Sequence, residues 1–315
     1  MGDEVMDEVD GWAGRAERIA VAGEQVALVD VAPDRPGGAP PLLVVHGFPT
    51  SSIDFSPVVG RLAAERRVVL VDLPGYGLSD KPDRAYSLFG QADVVDAVAR
   101  DRGLAEVDLL THDMGDSVGG ELLARTIAGE APLRVRRRVL TNGAIYLDMA
   151  PLTDGQKFLR LLPDEMLPEG AGPDAEALAA TLAALCAPTP PAAGAARHLR
   201  AAAELVVRAG GVRLLPRLIR YLDERARHEH RWTGAIESHP AALTVVWGRG
   251  DPIAVPAMVD RLVSRRPATT VTWLEAGHWP MVEQPGQFAD AVLQSRLAAL
   301  AVDGRPQRQT LRVAG

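Results

Sequence analysis

The strongest constraint on the fold of this chain is a short apolar-rich run, residues 107–110, that leads into Thr111-His112-Asp113-Met114-Gly115 and then a helical pattern over residues 121–127. A small–x–nucleophile–x–small pentapeptide between a strand and a helix is a nucleophile elbow. The tight turn lifts one side chain above the sheet, and small flanking residues let the backbone pass closely. The residue at the tip, Asp113, is a carboxylate rather than a serine, which points to chemistry through an alkyl ester of the enzyme. An overlapping register, Gly115-Asp116-Ser117-Val118-Gly119, spells the serine version. In that register residues 112–116 would be the buried strand, yet they are mostly polar or glycine. With Asp113 at the tip, the helix starts near Gly115 and Ser117 falls in its first turn, where serine is common. The Asp113 register is therefore preferred, with an esterase working through Ser117 as an alternative.

The rest of the chain supplies the sheet that such an elbow needs. Residues 18–22 and 25–31 read as an opening antiparallel pair, and 42–45, 68–71, 107–110, 139–141, 243–247 and 270–274 as further strands. Helical stretches intervene at 89–100, 121–128, 257–264 and 287–300. This alternation predicts an α/β fold: a mostly parallel, eight-stranded sheet with helices on both faces. Between Tyr146 and about Pro240 the texture changes to Ala, Leu and Arg broken by Pro and Gly, with helical periodicity at 174–187, 198–208 and 212–226 and no strand signal. The expected organisation is a core of residues 15–145 and 240–302, a helical cap inserted at 146–239, and a frayed polar tail at 303–315.

Composition narrows the function classes. A chain of 315 residues with 47% hydrophobic content fits a globular protein with a large core. The net charge of −7 argues against nucleic acid as a partner. Arg134-Val135-Arg136-Arg137-Arg138 reads as a solvated approach to a strand. The single cysteine, Cys186, is expected to be a buried thiol in a reducing compartment. Residues 1–10 are acidic and lack an apolar core, so no secretion signal is expected, and no apolar run approaches the ~18 residues of a membrane span. These features, with the abundance of Ala, Arg and Gly, lead to the expectation of a cytoplasmic bacterial protein without membrane contact, a monomer or homodimer.

Two more residues turn Asp113 from a helix-end carboxylate into part of a constellation. Asp251 follows the strand at 243–247 in Gly248-Arg249-Gly250-Asp251-Pro252, and His278 follows the strand at 270–274 in Ala276-Gly277-His278-Trp279-Pro280. All three stand just past strand C-termini, the edge where open parallel sheets bind ligands. Their order, nucleophile then acid then histidine, is that of the α/β-hydrolase fold. His46-Gly47-Phe48-Pro49 follows the strand at 42–45, so the backbone N–H groups of Phe48 and Met114 can converge as an oxyanion hole. His46 and His112 are expected to tie loops together at strand ends.

Taken together, HGFPTSS (residues 46–52), DLPGYGLSDKP (72–82), THDMG (111–115), WGRGDP (247–252) and GHWPMVEQP (277–285) resemble the epoxide hydrolase and haloalkane dehalogenase branch of the α/β-hydrolases. Still nearer is the similarity to the mesoderm-specific transcript proteins and their bacterial relatives, carried by HGFPTSS, GLSDKP followed by YSLF (86–89), HDMGDSVGGELLAR (112–125), TNGAI (141–145) and RWTGAIE (231–237). The resemblance covers roughly residues 40–150 and 215–300 and fades over about 155–210. It implies Asp113 as nucleophile, His278 as base and Asp251 as its partner, with no metal or organic cofactor. It also implies a cap tyrosine that protonates the leaving alkoxide, for which Tyr221 and Tyr146 are the candidates; Trp279 and His112 complete the residues expected around the substrate. The chain departs from the dehalogenases, which usually carry Trp after the nucleophile, since Met114 has no side-chain N–H and Phe48 stands where Asn would. Arg after the nucleophile, usual in fluoroacetate dehalogenases, is absent too. The leading expectation is an epoxide hydrolase-like enzyme acting on a small hydrophobic substrate and water. A haloalkane dehalogenase, the Ser117 esterase and a ligand-binding protein without turnover are the alternatives.

Overall fold

The computed structural model describes residues 2–35, 37–130 and 133–302, with side chains through Gln294. The tail expected at 303–315 lies outside the described residues. Strands β1 (Glu17–Val21), β2 (Glu24–Val31), β3 (Leu42–Val45), β4 (Val68–Val71), β5 (Glu106–His112), β6 (Arg134–Thr141), β7 (Ala242–Gly248) and β8 (Thr270–Leu274) form one sheet in the order β1-β2-β4-β3-β5-β6-β7-β8. The β1–β2 and β2–β4 pairs are antiparallel and all the others parallel. Strands β3 and β4 are apolar at every position and fully buried, as strands covered on both faces must be. This is an α/β-hydrolase fold, and its centre is β5.

Helices connect the strands: α1 (Gly2–Ala13) precedes the sheet, α2 (Ser56–Ala63) joins β3 to β4, α3 (Leu88–Asp101) joins β4 to β5, and α4 (Met114–Ala128) joins β5 to β6. Between β6 and β7 lie α5 (Asp154–Leu161), α6 (Ala175–Ala183), α7 (Ala193–Val207), α8 (Leu215–Leu218) and α9 (Tyr221–Ser238); α10 (Pro256–Arg265), α11 (Pro280–Glu283) and α12 (Pro285–Val302) follow. No helix among the described residues is long and apolar enough to cross a membrane.

Several elements depart from expectation. Helix α1 carries Val5, Val9 and Trp12 on one stripe, spaced for a single buried face, and packs on α7. The helix expected at 212–226 is broken: α8 covers only Leu215–Leu218, and a new helix, α9, starts at Tyr221 and runs to Ser238. Its charged sequence hides the pattern, but Trp232 and Ile236 are buried. Glu121 of α4, itself buried, locks α9 down: it accepts from Trp232 Nε1 at 2.9 Å and from Arg231 Nε at 2.6 Å. The arginine run requires a correction. Arg137 and Arg138 are not solvated but buried in β6, a central strand. Asp108 Oδ2 accepts from Arg137 at 2.9 Å and from Arg66 at 2.8 Å, so the charges enter the core as a paired group. Cys186 is a buried free thiol.

Candidate active site

The turn after β5 has Asp113 at its tip, with φ 49° and ψ −119°, a conformation that costs about 1–3 kcal/mol in a residue with a side chain. Ser117, by contrast, lies in the regular first turn of α4. Small neighbours are required here for a definite reason. A Cβ on Gly115 would stand 2.5 Å from the His46 carbonyl oxygen, and one on Gly47 would stand 2.5 Å from Asp113 Cβ. The chain therefore closes on Asp113 from the β3 side, and the amide of Phe48 donates to Asp113 Oδ2 at 2.9 Å. Met114 is the first residue of α4, so its N–H has no partner within the helix and is available at the same place.

The histidine and its acid meet as expected from their strand positions. His278 Nδ1 and Asp251 Oδ2 are 2.8 Å apart, both buried. Asp251 is held from all sides: its Oδ1 accepts from the amides of Ile253 and Ala254, and its Oδ2 accepts also from Asn142 Nδ2 at 2.7 Å. Burial alone would raise this carboxyl, but His278 and these donors outweigh it and hold it below the ordinary value. Burial likewise pushes His278 down, yet Asp251 and then Asp113 and Asp54 outweigh it and hold the imidazole at about 9. The free protein thus carries an imidazolium between acidic groups.

The residues proposed around this core separate into those that face it and those that do not. Tyr221, at the start of α9, lines a cavity of about 200 Å³ together with Asp113. Its ring packs 5.6 Å from that of Phe48. Burial first, and then the charge of Asp113, push its phenol well above the ordinary value, with Arg225 opposing. Leu147, Leu152, Leu222 and Ile253, with small apolar residues between them, supply most of the remaining wall, and Gln156 and Arg160 its polar part. Tyr146 is not in this wall: its hydroxyl donates to Glu237 at 2.8 Å and its ring lies under Arg261, in a second apolar cluster. His112 and Trp279 are not in the wall either. His112 Nε2 donates to the His278 carbonyl at 2.9 Å, and burial pushes it down to about 3, so it is a neutral tie beneath the histidine loop. Trp279 packs edge-on to His278 and donates through Nε1 to Leu182. His46 serves as a similar tie, taking the Leu73 amide on Nε2 and donating from Nδ1 to Gly47.

Three site residues were not anticipated. Asn142 binds Asp251 and also accepts the Gly248 amide at 2.9 Å, bridging the ends of β6 and β7. Glu283 accepts from the amides of Gly277, Trp279 and Ala187, fastening the histidine loop to the inserted segment. Arg225 is buried on α9 one turn beyond Tyr221. The residue strings TNGAI and GHWPMVEQP contained Asn142 and Glu283, and no local pattern marks Arg225.

Comparison with known proteins agrees with the fold. The alpha/beta hydrolase family profile matches residues 42–291. The putative hydrolase LipZ of Mycobacterium tuberculosis is 39% identical over 266 residues, 82% of this chain and 88% of that protein. The mesoderm-specific transcript homolog protein of Bos taurus is 31% identical over 273 residues, 81% of this chain and 78% of its own. Among solved structures, the haloalkane dehalogenase DbeA from Bradyrhizobium elkani superposes with a TM-score of 0.69 at 21% identity, covering 91% of this chain and 99% of that one.

Proposed function

We propose that this chain, which belongs to the alpha/beta hydrolase family, hydrolyses a small substrate through an ester on Asp113 and acts most readily on epoxides. The observation that carries this reading is the Phe48 amide on Asp113 Oδ2. That bond occupies one carboxylate oxygen and leaves Oδ1 as the nucleophile. Attack on a ring carbon forms the Oδ1–C bond as the epoxide C–O bond breaks, and the electron pair on the departing oxygen takes the Tyr221 proton. The loss of charge on Asp113 also removes one of the groups that hold the His278 proton, so the imidazole moves toward its neutral form when it is needed as a base. His278 then takes a proton from water as the hydroxide adds to the Asp113 carbonyl carbon. Negative charge grows on Oδ2, where the Phe48 amide already donates and the unpaired Met114 amide can join it. Collapse expels the alkoxide, which takes the His278 proton. The proton left on Asp113 returns to the Tyr221 phenolate, His278 takes back from solvent the proton it released before acting as base, and the sum is epoxide plus water giving a diol.

In this reading the helices between β6 and β7 form a cap over Asp113, and the substrate enters a mainly apolar cavity. Haloalkanes are the second reading, because the same Asp113 ester serves them. The absence of a side-chain N–H at Met114 and Phe48 favours epoxides over a leaving halide. The test is a His278→Gln variant incubated with matched epoxides and bromoalkanes and read by intact and peptide mass. A stable adduct on Asp113 from epoxides supports the reading. An adduct or fluorophosphonate label on Ser117 overturns it, and adducts from bromoalkanes alone select the dehalogenase.

A further inference from the structure

Arg225 is only 4% exposed, yet among the described residues its guanidinium makes no hydrogen bond and no ion pair. The other deeply buried arginines differ. Arg66 and Arg137 share Asp108, and Arg138 binds Thr111 and the Asp116 carbonyl. A buried cation without a partner costs several kcal/mol, at about the level that removes such residues from structural positions. Glu229, one helical turn on, contributes counter-charge from a distance, but among the described residues it makes no ion pair with Arg225 and accepts from the Leu147 amide at 2.8 Å instead.

The placement says what the cation faces. Arg225 lies four residues after Tyr221 and one before Ala226, behind the wall that these two form with Asp113, while Arg160, the cation in that wall, is already paired with Asp223 at 2.5 Å. Side chains on a helix lean toward its N-terminus, so Arg225 leans toward Tyr221. After burial itself, the charges it feels are those of Tyr221, Asp113, Asp116 and Glu229, in that order. Its nitrogens are not sealed in, unlike Arg138 Nε and Nη1, which are enclosed without partners. We propose that Arg225 is the carboxylate-recognising residue of this site, and that the substrate is a largely apolar molecule carrying one carboxylate near its reacting carbon. A planar fork of N–H donors matches two carboxylate oxygens, whereas a neutral substrate leaves it unpaired. The apolar wall of the cavity then holds the body of the substrate. The proposal rests on the Asp113 reading for where the reacting carbon lies, but its test does not.

Two measurements keep the readings apart. Hexanoate and hexanamide are titrated calorimetrically into the wild-type protein, Arg225→Gln and Arg225→Lys. Hexanoate is expected to bind wild type about 10- to 100-fold tighter than the amide, as a charge-assisted hydrogen bond gives, with the preference gone in Arg225→Gln and partly restored in Arg225→Lys. Equal binding of acid and amide to the wild type overturns the proposal even if the variants fail to fold. Retention of the preference in a folded Arg225→Gln overturns it, and so does wild-type selection of bromide over hexanoate, which assigns the cation to a leaving halide. In parallel, an epoxy acid and its primary amide are compared for adduct formation in the His278→Gln background, with and without Arg225→Gln. A fall in the acid-to-amide ratio supports carboxylate recognition. An equal slowing of both compounds makes Arg225 an aid to Tyr221 instead, and overturns it. No Asp113 adduct from either compound, with hexanoate preference intact, defeats the Asp113 ester reading alone.

Discussion

The amide of Phe48 donates to Oδ2 of Asp113 at 2.9 Å, although 65 residues of chain separate them. The contact exists because Gly47 has no side chain: a Cβ there would stand 2.5 Å from Asp113 Cβ and 2.8 Å from Oδ2. Gly47→Ala is therefore expected to push the β3 loop off the carboxylate. The loss in kcat/KM should be about 10²- to 10³-fold, the size of a lost oxyanion donor, with overpacking costing about 1–3 kcal/mol of stability. Kinetics together with urea midpoints check this, and a variant of undiminished activity would show that the donor is not used.

Asn142 offers a separate test of the acid–histidine arm. Its Nδ2 is 2.7 Å from Asp251 Oδ2, the oxygen that also meets His278. Asn142→Ala removes a donor to a charged group, about 1.5–3 kcal/mol, and leaves the carboxylate free to turn from the imidazole. Formation of the Asp113 ester should be nearly unaffected, while its hydrolysis slows about 10- to 100-fold and the adduct accumulates. Because Asn142 has a φ of 41°, Asn142→Gly is the companion variant: it removes the amide without backbone strain and should show the same accumulation.

Much of this arrangement was legible in the sequence, for a physical reason. Asp113, Asp251 and His278 each follow an apolar run that can only be a buried strand, so their edge of the sheet is fixed by pattern alone. Phe48 follows β3 in the same way. Arg225 and Glu283 carry no such mark, and although Asn142 directly follows β6, its role, like theirs, depends on which element it opposes after folding. Tyr146 and Tyr221 illustrate the same limit. Both stand at helix starts in the inserted segment, and only the direction of α9 against α4 sends one to Asp113 and the other to Glu237. Arg137 and Arg138 were misread as solvated because sequence shows their charge but not Asp108 and Thr111 on the adjacent strand.

The pH dependence follows from what surrounds His278. Asp251, Asp113 and Asp54 raise it, burial lowers it, and the neutral His112 lies against it; the balance is about 9. Water activation needs the neutral imidazole, so ester hydrolysis should rise with pH and level off above the histidine's own value. In the ester Asp113 has no charge, so that midpoint should fall below 9, whereas ester formation needs no neutral imidazole. Asp54 is held up at about 8, chiefly by burial, so it carries charge beside the imidazolium only above that pH; Asp54→Asn should therefore lower a midpoint that lies above about 8 and leave a lower one unmoved. Quenched-flow mass measurements of adduct decay between about pH 6 and 9 check both, and a flat profile would remove His278 from the role of base.

The two tyrosines give the sharpest separation of site from scaffold. Tyr221 shares the cavity with Asp113, and its phenol is buried with Arg225 one turn away. Tyr221→Phe deletes only the proton donor, so alkylation of Asp113 by an epoxide should slow about 10²- to 10⁴-fold, the range for a lost general acid. The same variant should react with a bromoalkane nearly as fast as wild type if such substrates react at all, because bromide leaves without a proton. Tyr146→Phe loses its hydrogen bond to Glu237, costing about 1 kcal/mol of stability, with epoxide alkylation unchanged. Single-turnover adduct formation in the His278→Gln background measures all of these. Equal rates for Tyr221→Phe and Tyr146→Phe would mean that the leaving oxygen takes its proton from elsewhere, and Tyr221 would then be no more than a wall of the cavity.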